Sequence, residues 1–432
     1  MTTRVRRLYA ALLTLLCIFL VSGCVVNPVT GEKQLSLISE SQERAMGAEQ
    51  YVPTQQMQGG KYYLDPELTR YVSQVGQKLA AVSDRPDLPY EFVVLNSGVP
   101  NAWALPSGKI AVNRGLLTEL DNEAQLAAVL GHEITHAAAR HSVQQMQQGM
   151  IINAGMAGLG MALSDNDFAS MIMGSAAVGS QIVMARHSQG DELEADHYGI
   201  QYMVKAGYDP KAAVELQKTF VELAQGNQSG FIEGLFASHP PSQQRVEANQ
   251  AMVQKLGNPG GELGRETYQN KLAYLEKHQP AYKAEQQAIQ LFKDGKNQAA
   301  LDKINEAIRI EPREASFYAL RGRLYDELKG SGSTQARSDY DKAVSLYPEM
   351  FSYRLQRGLN SLQLGKLEQA REDLTAANDT VPTSIAYLRL GDIAVQQNRR
   401  QDAINDYSHA ASAEGNIAAE AQRKLAALKS AN

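Results

Sequence analysis

The sequence predicts two domains: an α+β domain, mostly helical with a small sheet, and then an all-α domain. Two stretches, 90–95 and 109–112, are rich in β-branched and aromatic residues and are typical of strands. Both precede a run of chain breakers, Gly-Asn-Pro-Gly-Gly, after which almost no strand pattern remains. We therefore expect one domain at 24–256, a linker at 257–279 and a repeat domain at 280–432.

The amino terminus, residues 1–23, has the features of a secretory signal. Three arginines precede an apolar run that is too short for a lasting membrane span. Val-Ser-Gly before Cys24 resembles the lipobox of bacterial lipoproteins, which implies that Cys24 is lipidated. An ordinary cleaved signal is the alternative. Val25 follows, where an aspartate would resemble an inner-membrane retention signal. The resemblance thus implies a periplasmic protein anchored to the inner leaflet of the outer membrane.

Charge and cysteine content narrow the class of protein. Removing the three signal arginines from 42 basic side chains leaves 39 against 47 acidic ones, a formal charge of −8. This balance provides no electrostatic surface for nucleic acid, so we expect no such partner. Cys17 lies in the signal and Cys24 would carry lipid. The mature chain then has no disulfide, and its stability must come from core burial.

The most informative motif is His132-Glu-Ile-Thr-His136. Residues four apart share one face of a helix, so the two imidazoles can bind one zinc ion. Glu133 lies beside them, where its carboxylate can accept a proton from water. The flanking alanines and leucines favour a helix, and Asp121 or Asn122 can cap its start. Two solvated histidines on an amphipathic helix are the alternative.

A catalytic zinc usually has three protein ligands, so a further ligand is needed. The acidic stretch 191–196 is expected to open a helix, although acidic residues there can simply favour the helix dipole. His-Glu-x-x-His followed by Glu-x-x-x-Asp resembles the HtpX-type zinc metallopeptidase family, with a zincin-like domain. The resemblance implies that Glu192 is the third ligand and that Asp196 orients an imidazole. Glu194 is expected to point elsewhere, into solvent.

The resemblance covers nearly the whole mature chain. Residues 101–104, followed by 108–112, resemble a family strand beside the cleft that could hold an extended substrate by backbone hydrogen bonds. An ordinary hairpin is the alternative. Ser-His239-Pro-Pro and then Arg245 resemble a further motif, which implies that Arg245 supports the zinc ligands. It also implies that His239 can be a fourth zinc ligand or a switch. The alternatives are that His239 only packs in its loop, or that it stabilises the tetrahedral intermediate of the reaction. The strand residues are Asn101, Ala102, Trp103 and Ala104.

The second domain carries an internal repeat. Three prolines are spaced 36 and 34 residues apart, and a pair of alanines precedes each. The register resembles the tetratricopeptide repeat (TPR), which implies a solenoid of four repeats over 280–414 and a capping helix. Its concave face would bind peptide or protein. A plain helical bundle is the alternative. The recurring positions are Pro312, Pro348 and Pro382, Gly322, Gly358 and Gly391, and the larger residues Ile304, Tyr340, Leu374 and Tyr407.

Residues 144–185 form an insert that is polar at first and then rich in Gly, Ala and Met. A buried helical hairpin, a lid over the cleft with adaptable methionines, and insertion into a membrane are its three interpretations. The remaining histidines lack ligand spacing, so we expect them at the surface or packed. They are His141, His187, His197, His278 and His409.

Taken with the resemblance, these motifs predict a zinc-dependent endopeptidase of the bacterial envelope, with one zinc per chain. His132, His136 and Glu192 would hold the metal, and Glu133 would act as the general base. Its clients would be unfolded or assembling outer-membrane proteins, reached together with their assembly machinery through the TPR domain. The alternative is a lipid-anchored assembly chaperone with little proteolysis.

Overall fold

The structure, a computed structural model, describes five stretches of the chain. The expected signal at 1–23 and the insert beyond residue 156 lie outside them. No helix in the described part combines the length and apolar character needed to cross a membrane. The described stretches are 24–156, 187–225, 238–330, 332–413 and 415–430.

The chain divides into two compact units. The first consists of Met1–Tyr51 and Glu67–Leu272, and it contains every strand of the described residues. The second consists of Val52–Pro66 and Ala273–Asn432 and is helical in its described part. The first unit therefore has the α+β character predicted for the amino-terminal domain.

Two small sheets lie in the first unit. Strand β1 (Cys24–Val26) pairs antiparallel with β2 (Lys33–Leu35). In the second sheet β5 (Lys109–Asn113) is central, with β3 (Glu91–Leu95) parallel to it and β4 (Ala102–Leu105) antiparallel to it. The strands predicted at 90–95 and 109–112 are confirmed. Since β4 pairs only with β5 among the described strands, it forms an edge of the sheet.

The β4–β5 connection is a tight hairpin turn. Ser107 and Gly108 both have positive φ, 67° and 77°, which a glycine accepts without strain. A Cβ at Gly108 would also lie 2.5 Å from the ring of Tyr90. One face of the sheet packs into a core that fixes the position of β4. That core consists of Tyr51, Val93, Leu95, Trp103, Leu105 and Ala111.

Eight helices of the described chain precede residue 256, and three of them carry the predicted site. The helix expected around the His-Glu-x-x-His motif is α4, and the one expected after the acidic stretch is α6. The bounds are α1 (Glu40–Met57), α2 (Pro66–Ala80), α3 (Arg114–Leu117), α4 (Glu123–Ala138), α5 (His141–Met156), α6 (Gln189–Lys205), α7 (Lys211–Gln225) and α8 (Gln243–Lys255).

The remaining helices follow one another with short connections. The first of them, α9, begins at Arg265, so much of the linker expected at 257–279 is helical. The physical reason is that residues 265–279 contain neither glycine nor proline and include several strong helix formers. The bounds are α9 (Arg265–Lys293), α10 (Asn297–Ile310), α11 (Ala315–Lys329), α12 (Thr334–Leu346), α13 (Phe351–Gln363), α14 (Leu367–Thr380), α15 (Ser384–Gln396), α16 (Arg400–Ala411) and α17 (Asn416–Ser430).

Within the second unit the helices pair as the repeat predicts. A Cβ at Gly391 of α15 would lie 2.5 Å from the ring of Tyr407 on α16. Gly322 on α11 approaches the Tyr340 ring on α12 in the same way, where a Cβ would lie 2.6 Å away. The small and large residues of the repeat thus meet in these two helix pairs, and the all-α TPR architecture is confirmed.

The second unit also includes a short segment from early in the chain, Val52–Pro66, which the sequence interpretation assigned to the first domain. The Tyr63 hydroxyl donates to the Arg313 carbonyl at 2.6 Å and accepts from the Ala315 amide at 2.8 Å. The Lys61 amide donates to the Tyr347 hydroxyl at 3.0 Å. These contacts join residues about 250 or more positions apart, so local sequence patterns could not reveal them.

The close helix pairing predicts a specific loss of stability. Gly391→Ala places a methyl group against Tyr407 and should lower the free energy of unfolding of the repeat unit by about 1–3 kcal/mol. Urea unfolding of the full chain, monitored by helical circular dichroism, measures the change. Ser408→Ala on the exposed side of α16 is the matched control and should change it by less than about 0.5 kcal/mol. A Gly391→Ala protein as stable as this control would contradict the packing.

Candidate metal centre

Helix α4 places the three residues of the central motif in the interior. The side chain of Asn122 accepts from the amide of Gln125 at 3.0 Å and caps the helix, as one of the two predicted candidates. His132, Glu133 and His136 lie within the helix and are 8%, 3% and 1% exposed. The alternative of two solvated histidines is therefore wrong, because both rings are buried.

Helix α6 crosses α4 at a pair of glycines. A Cβ at Gly131 would lie 3.0 Å from the Gly199 carbonyl oxygen, and one at Gly199 would lie 3.0 Å from the amide nitrogen of His132. Side chains at these two positions would push the backbones apart. Ser188 and Asp191 form a reciprocal capping box at the start of α6. The close crossing brings Glu192 to the buried histidines.

Four side chains converge at this crossing. One ligand atom from each of His132, His136, Glu192 and His239 lies within 4.8 Å of the others. The Nε2 atoms of His132 and His136 are 3.0 Å apart, and Glu192 Oε1 lies 3.4 Å from His136 Nε2. His239 Nδ1 lies 2.9 Å from Glu192 Oε1. The structure thus brings together the three predicted ligands and the predicted fourth one.

Asp196 and Arg245 lie behind the ligands. His132 Nδ1–H donates to Asp196 Oδ1 at 2.9 Å, which leaves Nε2 facing the cluster. Arg245, 3% exposed, donates to both carboxylate oxygens of Asp196 at 2.7 Å and lies 2.7 Å from Glu192 Oε2. One guanidinium therefore holds two of the acidic side chains of α6, with a bidentate contact to Asp196 that only arginine provides.

The pKa shifts in the site follow from burial and mutual charge. Burial disfavours ionised Glu192, but the imidazoles of His239 and His132 outweigh it and hold the Glu192 pKa well below its ordinary value. For Asp196 burial is likewise outweighed, by Arg245, so its pKa is lowered. Burial raises the pKa of Glu133, against the opposing imidazoles of His239 and His132. Two carboxylates are thus ionised at neutral pH, while the third can take up a proton more readily.

The two imidazoles of α4 differ in their electrostatic surroundings. Burial disfavours protonated His132, but Glu192 and Asp196 outweigh it and raise its pKa to about 10. Burial and then the neighbouring His187 hold the pKa of His136 well below its ordinary value. The difference follows from the side chains behind each ring: a carboxylate lies behind His132, and other imidazoles lie around His136.

Sequence reasoning missed the side chains around His136. His141, 2% exposed, lies with its Nδ1 2.8 Å from His136 Nδ1, and the His187 ring stacks on His136 at 3.9 Å between centroids. Both are packed, one of the two outcomes expected for them. Glu194 lies outside the cluster and is partly exposed, as expected, but its Oε1 also lies 3.3 Å from His141 Nε2. The position of His141 at the start of α5, one turn after His136, was the only signal in the sequence.

The predicted substrate strand lies next to the site. Ala102, on edge strand β4, lines a cavity of about 50 Å³ together with Glu133, His132 and His239. Trp103 points to the opposite face and packs edge-on against Tyr51 in the sheet core, with centroids 6.3 Å apart. Asn101 is 8% exposed and Ala104 also 8%. The strand residues are therefore buried.

The donor set fits a zinc ion. Imidazole nitrogen and carboxylate oxygen are ordinary zinc ligands, and two histidines with one glutamate form a known catalytic set. Two ionised carboxylates, Glu192 directly and Asp196 through His132, supply the negative charge that a buried divalent cation requires. Arg245 balances part of that charge. Next to this set, Glu133 provides a buried carboxylate able to move a proton.

The chain is similar to known metallopeptidases. Residues 66–253, which include the whole site, match the profile of peptidase family M48. The Beta-barrel assembly-enhancing protease of Escherichia coli (strain K12) is 26% identical over 388 residues, which cover 88% of this chain and 75% of that protein. The protein of the same name from Yersinia pestis is 32% identical over 204 residues, 43% of this chain and 39% of that one.

A mitochondrial protein also matches. Mitochondrial metalloendopeptidase OMA1 of Schizosaccharomyces pombe is 30% identical over 220 residues, which cover 51% of this chain and 63% of that protein. The family implies zinc, in agreement with the donor set of the buried cluster. Residues 66–253 of this chain are therefore a zinc metalloendopeptidase domain of family M48.

Proposed function

We propose that the chain is a zinc-dependent endopeptidase of the bacterial envelope that acts in outer-membrane protein assembly and quality control. Its task is to degrade misfolded or stalled clients. The observation that carries the proposal is the buried cluster of His132, His136 and Glu192 beside Glu133. The process is suggested by relatives named for beta-barrel assembly, which align with 88% of this chain.

The proposed ligands of one zinc ion are His132, His136 and Glu192. Bound there, zinc supplies Lewis-acid activation of water and of the scissile carbonyl. Asp196 holds the proton of His132 on Nδ1 and so keeps its Nε2 available to the metal. Arg245 fixes the carboxylates of Asp196 and Glu192 and acts as a positioning residue.

Glu133 is the proposed general base. It accepts a proton from the attacking water and later passes that proton to the leaving amine. Burial raises its pKa, which brings proton uptake closer to neutral pH. His239 Nε2 lies 3.6 Å from Glu133 Oε1. That contact places His239 close to the proton-transfer step.

The proposed substrate is an extended peptide bound along β4. An edge strand presents unpaired backbone groups, which can add a further strand and hold a peptide independently of its side chains. The cavity beside Ala102 and Glu133 is lined mainly by apolar side chains, including Val129 and Phe220. It would receive one side chain of the bound peptide, so unfolded segments rather than folded domains fit this site.

The repeat unit is the proposed binding surface for clients and their assembly machinery. Its helices α9, α11 and α13 form a cavity of about 450 Å³ whose lining includes Ile289, Phe292 and Arg323. A mixed apolar and charged groove of this kind suits an extended polypeptide. The proposed clients are unfolded or assembling outer-membrane proteins.

The location we propose is the periplasmic face of the outer membrane, with a lipid anchor on Cys24. In the described chain Cys24 opens strand β1, and the valines after it are among the exposed large apolar residues: Val25 is 39% and Val26 53% exposed. Exposed apolar residues next to a lipidated cysteine would suit a membrane surface. The anchor rests on the lipobox resemblance.

A second function deserves a test because His239 lies inside the ligand cluster. A fourth protein ligand closes a zinc site and leaves no position for water, as in structural sites. The protein would then act mainly as a lipid-anchored assembly chaperone with little proteolysis. The two functions can be told apart by whether the cellular phenotype depends on the carboxylate of Glu133.

The first prediction concerns Glu133→Gln. Loss of the base should lower cleavage of an unfolded substrate by at least about 100-fold, while zinc content and thermal stability stay unchanged. Glu222→Gln, on an exposed position of α7, is the control and should cleave normally. A Glu133→Gln strain with a normal envelope phenotype would instead support the chaperone.

The second prediction concerns the metal. The purified wild-type protein should contain one zinc per chain by elemental mass spectrometry. His136→Ala should lose zinc and casein cleavage together, because a buried ligand is removed. Wild-type protein without zinc above background, or a His136→Ala protein that digests casein normally, would defeat the proposed site.

The third prediction separates the roles of His239. If its side chain blocks the open metal position at rest, His239→Ala should hydrolyse peptides faster than wild type. Unchanged hydrolysis would indicate a packed residue only. Slower hydrolysis with zinc retained would indicate that His239 stabilises the reaction intermediate, and a latch would be ruled out.

The fourth prediction concerns the anchor. Cys24→Ala should release the protein into the soluble periplasmic fraction or leave its precursor uncleaved. Metabolic labelling with palmitate measures lipidation directly, and the wild-type chain should be labelled. An unlabelled wild-type protein would remove the lipoprotein assignment and leave the peptidase chemistry unaffected.

A further inference from the structure

A chain of hydrogen bonds leads from His136 away from the ligand cluster to the protein surface. His136 Nδ1 lies 2.8 Å from His141 Nδ1, and His141 Nε2 lies 3.3 Å from Glu194 Oε1. His141 is 2% exposed, whereas the side chain of Glu194 is 25% exposed. The chain therefore joins a fully buried ring to a carboxylate in contact with solvent.

The positions of the protons along this chain follow from the cluster. His136 turns Nε2 toward the other proposed ligands, and if that nitrogen binds zinc, its lone pair lies there and its proton lies on Nδ1. Nδ1–H then donates to His141 Nδ1. A neutral His141 that accepts at Nδ1 carries its own proton on Nε2 and donates it to Glu194. One tautomer of each ring satisfies both hydrogen bonds of this chain.

We propose that His141 and Glu194 are positioning residues for the metal ligand His136. They would fix its tautomer and ring orientation and increase its basicity, as Asp196 and Arg245 do for His132. The inference rests on the proposed function, because it assumes that His136 binds zinc. Each histidine of α4 then has its own carboxylate. His132 contacts Asp196 directly, and His136 is linked to Glu194 through the imidazole of His141.

The surroundings support a fixed His136 ring. His187 stacks on it with an interplanar angle of 23°, and Gln145 Nε2 lies 3.1 Å from His187 Nδ1. Burial lowers the pKa of His187 to about 3, so this neighbour adds no positive charge near the metal. The stacked ring of His187 and the contact with His141 Nδ1 together restrict the orientation of the His136 ring.

The test is a zinc-affinity titration of the full chain against a competing chelator. We expect His141→Phe, which fills similar space without a hydrogen bond, to weaken zinc binding by about 10- to 100-fold. Glu194→Gln should weaken it less, by roughly 3- to 10-fold. Because Glu194 acts through His141, the double variant should bind zinc as His141→Phe does. His197→Gln, also on α6 and outside the cluster, should bind like wild type.

A second variant at the same position tests whether weaker zinc binding comes from misfolding rather than from the lost hydrogen bonds. His141→Gln can accept from His136 and donate to Glu194, so it should bind zinc within about threefold of wild type. Three results would each overturn the proposal. The zinc affinity of His141→Phe could lie within about twofold of wild type, the effects of His141→Phe and Glu194→Gln could be independent, or His141→Gln could bind zinc as weakly as His141→Phe. Failure of the wild type to bind zinc would overturn the proposed function as well, and so the two failures are distinguishable.

Discussion

The close crossing of α4 and α6 at Gly131 and Gly199 is the constraint on which the site depends. A methyl group at either position would lie 3.0 Å from the backbone of the other helix. At this separation Glu192 and Asp196, four residues apart on one face of α6, both reach the histidines of α4. A wider crossing would leave the carboxylates short of the imidazoles, and no single metal could contact both helices.

Such a crossing concentrates charge where water is scarce, and the surrounding side chains compensate for it. Glu192 and Asp196 are buried, and isolated ionised carboxylates in that position would be strongly unfavourable. Arg245 lies in the first turn of α8, where its amide donates to the capping side chain of Ser242, and its guanidinium pairs with both carboxylates. A divalent cation would supply the rest of the compensating charge, which links metal binding to the stability of the domain.

The sequence predicted the parts of the site that depend on local spacing. His132, Glu133 and His136 follow from helical periodicity, and Asn122 follows from capping chemistry. Glu192, Asp196, His239 and Arg245 followed from a family resemblance, since about 60 to 110 residues separate them from the first motif. The repeat architecture likewise followed from a resemblance. Two of its glycines, Gly322 and Gly391, lie against the tyrosines expected to pack there.

What could not be predicted are contacts that only the fold creates. His141 was set aside because it lacks ligand spacing, yet it lies against the proposed ligand His136 and reaches Glu194 on another helix. Residues 52–66 show no repeat pattern, and nevertheless Tyr63 hydrogen-bonds to the start of α11. Both cases concern polar side chains whose partners are distant in sequence, where neither propensity nor periodicity carries a signal.

The central claim is that three side chains from two separate helices, His132 and His136 of α4 and Glu192 of α6, bind one zinc ion. X-ray absorption at the zinc edge of the purified full-length protein tests it most directly, because it reports the atoms bound to the metal. The account predicts only nitrogen and oxygen neighbours at about 2.0–2.2 Å, with the scattering pattern of at least two imidazoles. Sulfur neighbours, or a shell of oxygen atoms without imidazole, would contradict it.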